Sequence, residues 1–176
     1  MKNFFKHLHL INKHRFLVFI HCCKCGLFFR GLVHDLSKYS ITEFWESVKY
    51  FNGFHSPIVE SRLDKGYSKA WLHHKGRNKH HIEYWFDEEL EVQPIIPYKY
   101  CVECVCDKLS ASKCYNGKNY TQDKLLAHWL KWNANGNMNP KIKKFFTQVF
   151  TDLANHGEKF ILNKKYLKST YSKCVM

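Results

Sequence analysis

Between Asn12 and Phe29 the apolar residues Phe16, Val18, Phe19, Cys22, Cys23 and Leu27 recur at mixed three- and four-residue steps, which lays them on one wide helical face. Gly26 and Gly31 loosen the end of that helix. Ser40 followed three residues later by Glu43 forms a capping box, in which each side chain satisfies an orphan backbone N–H. It predicts a helix from Ile41 to Phe51, ended by Asn52-Gly53. Residues His55 to Gly66 read as a loop, with Pro57 barring regular helix. Tyr67 to Leu90 reads as one helix, or two joined near Gly76, and Glu91 to Pro97 as a turn. Further helices are predicted from Tyr98 to about Tyr115, from Thr121 to about Ala134, and from Asn139-Pro140 to Gly157. A polar loop spans Asn133 to Asn139.

No internal repeat and no sustained period-two alternation argues for a sheet. The expected fold class is therefore all-α: one compact multi-helix domain over residues 1–157, followed by a basic C-terminal tail over 158–176. A chain of 176 residues suits one core, and 45% hydrophobic residues exclude a disordered chain.

Charge and cysteine usage narrow the setting. The formal charge of +13 fits a phosphorylated small molecule or a polyanion such as nucleic acid as partner, and fits equally a solvated basic surface with no specific role. The apolar stretch Phe16 to Cys25 is interrupted by His21 and Lys24 and is far shorter than a membrane span, so no membrane partner is expected. No small-residue cleavage site follows it, which assigns the eight cysteines to a reducing cytoplasm without disulfides.

The chemistry concentrates in histidines and carboxylates. In Gly31-Leu32-Val33-His34-Asp35-Leu36-Ser37-Lys38, adjacent His and Asp can place an imidazole nitrogen and a carboxylate oxygen on one cation, a donor set suited to manganese, iron, zinc or magnesium. This string resembles the central dyad of the HD phosphohydrolase superfamily, with Ser37 in place of a glycine. That superfamily draws a first histidine, the His-Asp pair, further histidines and a distant aspartate from separate helices. The order here is His14, His34-Asp35, His73, His74, His80 and His81, then Asp107. The first histidine, His14 or His21, stands closer to the dyad than is usual there. In an unbroken helix His74 would share a face with His81 and His73 with His80, so only one of these pairs could face inward; Glu103 shares a face with Asp107.

A second resemblance runs across nearly the whole chain. Asn12-Lys13-His14-Arg15, Gly31 to Ser40, the run from Ala70 through His81, Tyr84-Trp85 and Val105-Cys106-Asp107 are similar to a bacterial and phage family catalogued as domain of unknown function 5662. Its pattern favours His14 as the first ligand. The two resemblances together imply an HD-like domain in which His14, His34, Asp35, His74, His81 and Asp107 hold one or two divalent metal ions. Lys38 and Arg77 would there stabilise charge on a phosphate.

The expected function is metal-dependent hydrolysis of a phosphate ester, with a nucleotide among the candidate substrates. Alternatives are a basic helical nucleic-acid-binding module in which the histidines only pack, and a di-iron oxygenase-like HD protein. The tail lysines Lys159, Lys164, Lys165, Lys168 and Lys173, interleaved with Phe160, Tyr166 and Tyr171, suit contact with nucleic acid; an exposed helix or frayed end accounts for them as well. Cys101 and Cys104 have the gap of a zinc knuckle, but helix would scatter these sulfurs around its axis, which leaves them as small buried hydrophobes.

Overall fold

The computed structural model describes residues 2–133 and 136–176, and among these every regular element is helical. Helix α1 (Lys2–Lys24) begins well before Asn12, the start expected from apolar periodicity. Its buried stripe is His7, Ile11, His14, Val18 and His21 at alternating four- and three-residue steps, joined by Cys22, so that half of the positions are histidine. Gly26, with φ of 75°, then turns the chain into the short helix α2 (Phe28–Val33). Gly31 lets α2 close on α1, since a Cβ there would stand 2.8 Å from the Cys22 side chain and 3.0 Å from the Phe19 backbone.

After the His34-Asp35 pair, a 3₁₀ turn (Leu36–Tyr39) leads to α3 (Ile41–Lys49). The expected capping box is half made. Ser40 Oγ accepts from the Glu43 N–H at 3.3 Å, but the Glu43 carboxylate turns away to bind imidazoles, which are stronger partners than a neutral backbone N–H.

The expected loop at His55 to Gly66 is instead helix α4 (Pro57–Lys65). Pro57 occupies the first turn, where its missing N–H breaks no bond, and Gly66 closes the helix in the left-handed conformation. The helix expected to run to Leu90 stops early: α5 (Lys69–Arg77) starts with the Ser68 side chain accepting from Trp71 N–H and ends at Asn78. There Asn78 Nδ2 donates to the His74 carbonyl at 2.8 Å and to Ser37 Oγ at 2.8 Å, which stops the helix one turn before His81. A 3₁₀ turn (Ile82–Trp85) and an irregular stretch folded around the buried Gln93 side chain follow.

Helix α6 (Tyr98–Asn116) is the central element, buried on all sides along much of its length. Helices α7 (Gln122–Asn133) and α8 (Pro140–His156) pack against each other, with the expected Asn139-Pro140 start and Gly157 stop around α8. Ala134, the expected end of α7, lies outside the described residues.

Residues 158–176 are not a frayed end. They form α9 (Glu158–Ile161) and α10 (Lys164–Val175), whose Ile161, Leu167 and Val175 are buried in the same core as Trp129, Phe145, Phe146 and Phe150. Tyr166 donates its hydroxyl to Asp152 and Tyr171 donates to the Ile96 carbonyl, so both rings are engaged internally. The chain is thus a single compact all-helical domain. None of its described helices is long and apolar enough to cross a membrane.

Candidate metal centre

Opposite the aromatic core, α1, α3, α5 and the outer face of α6 enclose a polar cluster. Asp35 stands at its middle, in the left-handed backbone region with φ of 52° and ψ of 29°. It is the described chain's one non-glycine residue with positive φ. Such a conformation costs an L-residue about 1 kcal/mol and persists where the surroundings over-determine it. Here it breaks the chain between α2 and the 3₁₀ turn and swings the carboxylate inward.

Two sets of ligand-type atoms meet at this carboxylate. On the Oδ2 side, His14 Nε2 lies at 3.7 Å and His34 Nε2 at 3.3 Å, and Asp107 Oδ1 stands 3.1 Å from the His14 nitrogen. On the Oδ1 side, His74 Nε2 lies at 3.4 Å and His80 Nε2 at 3.5 Å, with His81 in the same group. Each set offers ligand atoms within 4.8 Å of one another, and a third, His34, His80 and Glu103, adjoins them.

The imidazoles are aimed from behind. His34 Nδ1 hydrogen-bonds Glu103 Oε1 at 3.0 Å; an ionised carboxylate only accepts, so Nδ1 carries a proton and Nε2 is the nitrogen left to face the cluster. His74 is held the same way by Glu43 Oε2 at 2.7 Å. Glu103 is itself pinned by the Arg30 guanidinium at 2.5 and 2.8 Å, and Glu43 also binds His73 Nδ1 at 2.6 Å.

Electrostatics agree with this arrangement. Burial alone would raise the pKa of Asp35 and Asp107, but the surrounding cations overcome it and hold both well below the usual carboxylate range. Glu103 is held down at about 2 against its burial by His34 and His80. Burial and Lys38 push His14 toward neutrality, and Asp107 and Asp35 outweigh them, raising its pKa to about 9. His34 is raised as well, against burial, chiefly by Asp35. Burial lowers His80 and His81, helped by the neighbouring imidazoles. The Lys38 ammonium sits 2.7 Å from Asp35 Oδ2.

Whether a metal fits can be judged from what the side chains lack. Among the described residues, His14 Nε2, His34 Nε2, His81 Nε2, both nitrogens of His80 and Asp35 Oδ1 are buried without a hydrogen-bond partner, while Asp35 Oδ2 is met by the Lys38 ammonium. Unpartnered buried polar atoms cost roughly 1–3 kcal/mol each, so a group of them converging on one point calls for a shared partner. Among the described residues, the carboxylates Asp35, Asp107, Glu103 and Glu43 face only Arg30 and Lys38 as permanent cations within hydrogen-bonding reach, so imidazolium protons or a bound cation must balance the rest. The donor set of imidazole and carboxylate, without thiolate, fits a divalent cation of the first row.

Of the residues singled out from sequence, the fold brings His14, His34, Asp35, His74, His81, Asp107 and Lys38 together. Arg77 is exposed on the last turn of α5 and lies outside the adjacent cavity. His21, the other candidate for first ligand, lies further along α1, with Nδ1 2.9 Å from Ser110 Oγ. His74 and His81 face the centre as a pair, and because α5 ends at Arg77 the turn that follows delivers His80 as well, while His73 stays outside on Glu43. Glu103 was signalled by its spacing from Asp107; Glu43 was hidden behind its capping signature. No cysteine belongs to the ligand sets among the described residues, although Cys114 lines the adjacent cavity; all eight are free thiols, and Cys25 and Cys106 lie with their sulfurs 3.9 Å apart in the apolar core.

Residues 3–152 match a family described as a family of unknown function, DUF5662. The chain belongs to this family. Comparison with curated proteins and with solved structures gives no match.

Proposed function

We propose that this protein is an HD-like, metal-dependent hydrolase of a phosphate ester, with Asp35 shared between two cation positions. The observation that carries the reading is the convergence of unpartnered nitrogens of His14, His34, His80 and His81 on the two oxygens of one buried aspartate. The likeness of Gly31 to Lys38 to the HD dyad supports it. When bound, the cations supply Lewis-acid activation of water at neutral pH.

The chain's own groups do the rest. Glu103 and Glu43 fix the rings of His34 and His74 so that Nε2 of each faces the centre. Lys38 lines the neighbouring cavity together with His14, His74, His81 and Asp107, where its ammonium can neutralise charge that develops on a phosphate oxygen. A pair of divalent ions would leave the centre with excess positive charge, which favours an anionic ester over a neutral substrate.

Metal analysis of the purified protein, alongside His34→Ala and Asp35→Ala, tests the reading. The wild type is expected to hold metal that both variants lose, to melt lower in chelator, and to hydrolyse a generic phosphate monoester. A metal-free wild type whose melting is indifferent to chelator removes it.

A further inference from the structure

We infer that the cavity beside the centre takes a phosphate monoester with one compact, largely apolar body and a hydrogen-bonding group at its far end, and that His7 reads that group. This rests on the hydrolase reading above.

The cavity measures about 260 Å³, and α1 runs along it with His7, Ile11 and His14 among its lining residues. Seven residues of helix separate His7 from His14 by about 10 Å, so one end of the cavity lies at the metal centre and the other at His7. Between them Leu10 and Ile11 supply an apolar wall, and Ile58, Ala70 and Trp71 add to the lining.

His7 has no part in the metal cluster and no evident structural partner. It is 5% exposed, and neither ring nitrogen has a hydrogen-bond partner. Its ring is packed against Phe44 and Phe51, at centroid distances of 5.6 and 5.4 Å, which fixes its orientation without satisfying it. Burial, assisted by Lys38, keeps it neutral with a pKa near 4, so one ring nitrogen donates and the other, diverging from it, accepts. A single N–H or carbonyl on a nucleobase edge can meet the nitrogen that faces the cavity.

Charge limits the other end. Among the described residues, Lys38 is the only lysine or arginine lining the cavity. One phosphoryl group is matched by the centre and Lys38, whereas a triphosphate would bring further anionic groups into an enclosed space with no cation to meet them. A nucleoside 5′-monophosphate combines the required parts: a single phosphate, a compact ring system and a donor–acceptor edge.

The test compares thymidine 5′-monophosphate with 2-deoxyribose 5-phosphate, which share the leaving alkoxide and differ in the base. Metal-loaded wild type should favour the nucleotide by about tenfold in kcat/KM, the worth of one well-placed hydrogen bond, chiefly through KM. His7→Phe should remove most of that preference, and His7→Gln, which keeps a donor and an acceptor, should restore part of it. Thymidine triphosphate should be the poorest of the three substrates. Calorimetry with the non-hydrolysable methylenephosphonate of thymidine should show the same dependence on His7. Equal kcat/KM for the two monoesters in wild type and His7→Phe overturns the inference and leaves His7 bonded to water. Failure to hydrolyse either substrate sinks the hydrolase reading instead, and calorimetry then decides for the pocket: His7-dependent binding upholds it and absent binding overturns it.

Discussion

The two sides of α6 face different kinds of interior. Toward α7 and α10 the helix joins an apolar core that includes Phe145, Phe146, Phe150 and Leu153 of α8, where the buried side chains are matched by apolar neighbours. Toward α1, α3 and α5 it presents Glu103 and Asp107 to a buried cluster of imidazoles and carboxylates that leaves many polar atoms without partners. The first side stabilises the fold by removing apolar surface from water. The second leaves buried polar atoms unpartnered, which costs the fold free energy that a bound cation would recover. One helix can serve both because charged residues at positions 103 and 107 share a face four residues apart, while valines, leucine and cysteines fill the others.

The division predicts that damage to one side leaves the chemistry of the other intact. Phe146 is fully buried, 5.3 Å from the Trp129 ring centroid and stacked on Phe150 at 6.2 Å. Phe146→Ala should cost about 3–5 kcal/mol in denaturant unfolding, with metal content per folded chain unchanged. Loss of metal along with stability would show that the two sides are not separable.

The converse change is smaller. Asparagine tolerates the left-handed backbone of residue 35 but removes the shared charge. In Asp35→Asn the metal-dependent part of stability should vanish, about 2.7 kcal/mol at a metal concentration one hundred times the dissociation constant, and thermal melts with and without chelator should coincide. A persisting difference would place the cation elsewhere.

The same contrast explains what could be read from sequence. The apolar side obeys periodicity and punctuation: Asn139-Pro140 and Gly157 bracket α8, and Tyr98 opens α6, because burial on these helices follows residue type. On the polar side burial runs against residue type. His7, His14 and His21 occupy core positions on α1, so apolar spacing missed the helix's first turns. The dyad and Asp107 stood out by chemistry and order along the chain, but the joint delivery of His80 and His81 depends on where Asn78 stops α5, which no periodicity encodes. Pro57 and Gly66 were both visible in the sequence. Pro57 was weighed as a breaker when its place in the first turn makes it a helix start. The packing of residues 158–176 was hidden by lysines on the exposed faces of α10, which outnumber the buried Leu167 and Val175.

Gly31 sharpens the comparison from the junction between the sides, where α2 closes on α1 just before the dyad. Gly31→Ala would press a methyl group onto Cys22 and the Phe19 backbone, and backbone cannot rotate away as a flexible side chain can. The cost should be up to about 3 kcal/mol. Because α2 carries the chain directly into His34 and Asp35, metal affinity should fall as well, unlike in Phe146→Ala. Titration of metal into both variants distinguishes a shift of the dyad from a general loss of packing.

The smallest effect concerns proton uptake by α1 on the two sides. Ser110 donates its hydroxyl to the Cys106 carbonyl at 2.7 Å, so its oxygen accepts from His21 Nδ1. Burial first, and Lys113 next, depress the His21 pKa to about 4. The unfolded chain, with an ordinary histidine near 6.5, therefore binds more protons between these values, and stability should rise by about 1–2 kcal/mol as pH climbs from 4 to 6.5. His14 has the opposite sign. Raised to about 9 in the metal-free protein, it contributes stability that is fully present below 6.5 and is lost as pH rises through 9. Metal-free protein should accordingly be most stable near pH 6.5. Bound metal should erase the alkaline limb, since a ligating His14 or His34 carries no proton on Nε2, and should leave the acid limb in place, while His21→Asn should lower only the acid limb, by its own share beside His7, His80 and His81. Denaturant midpoints across pH, with and without metal, separate the two limbs, and an alkaline limb that survives in the metal-bound protein would mean that His14 is not a ligand.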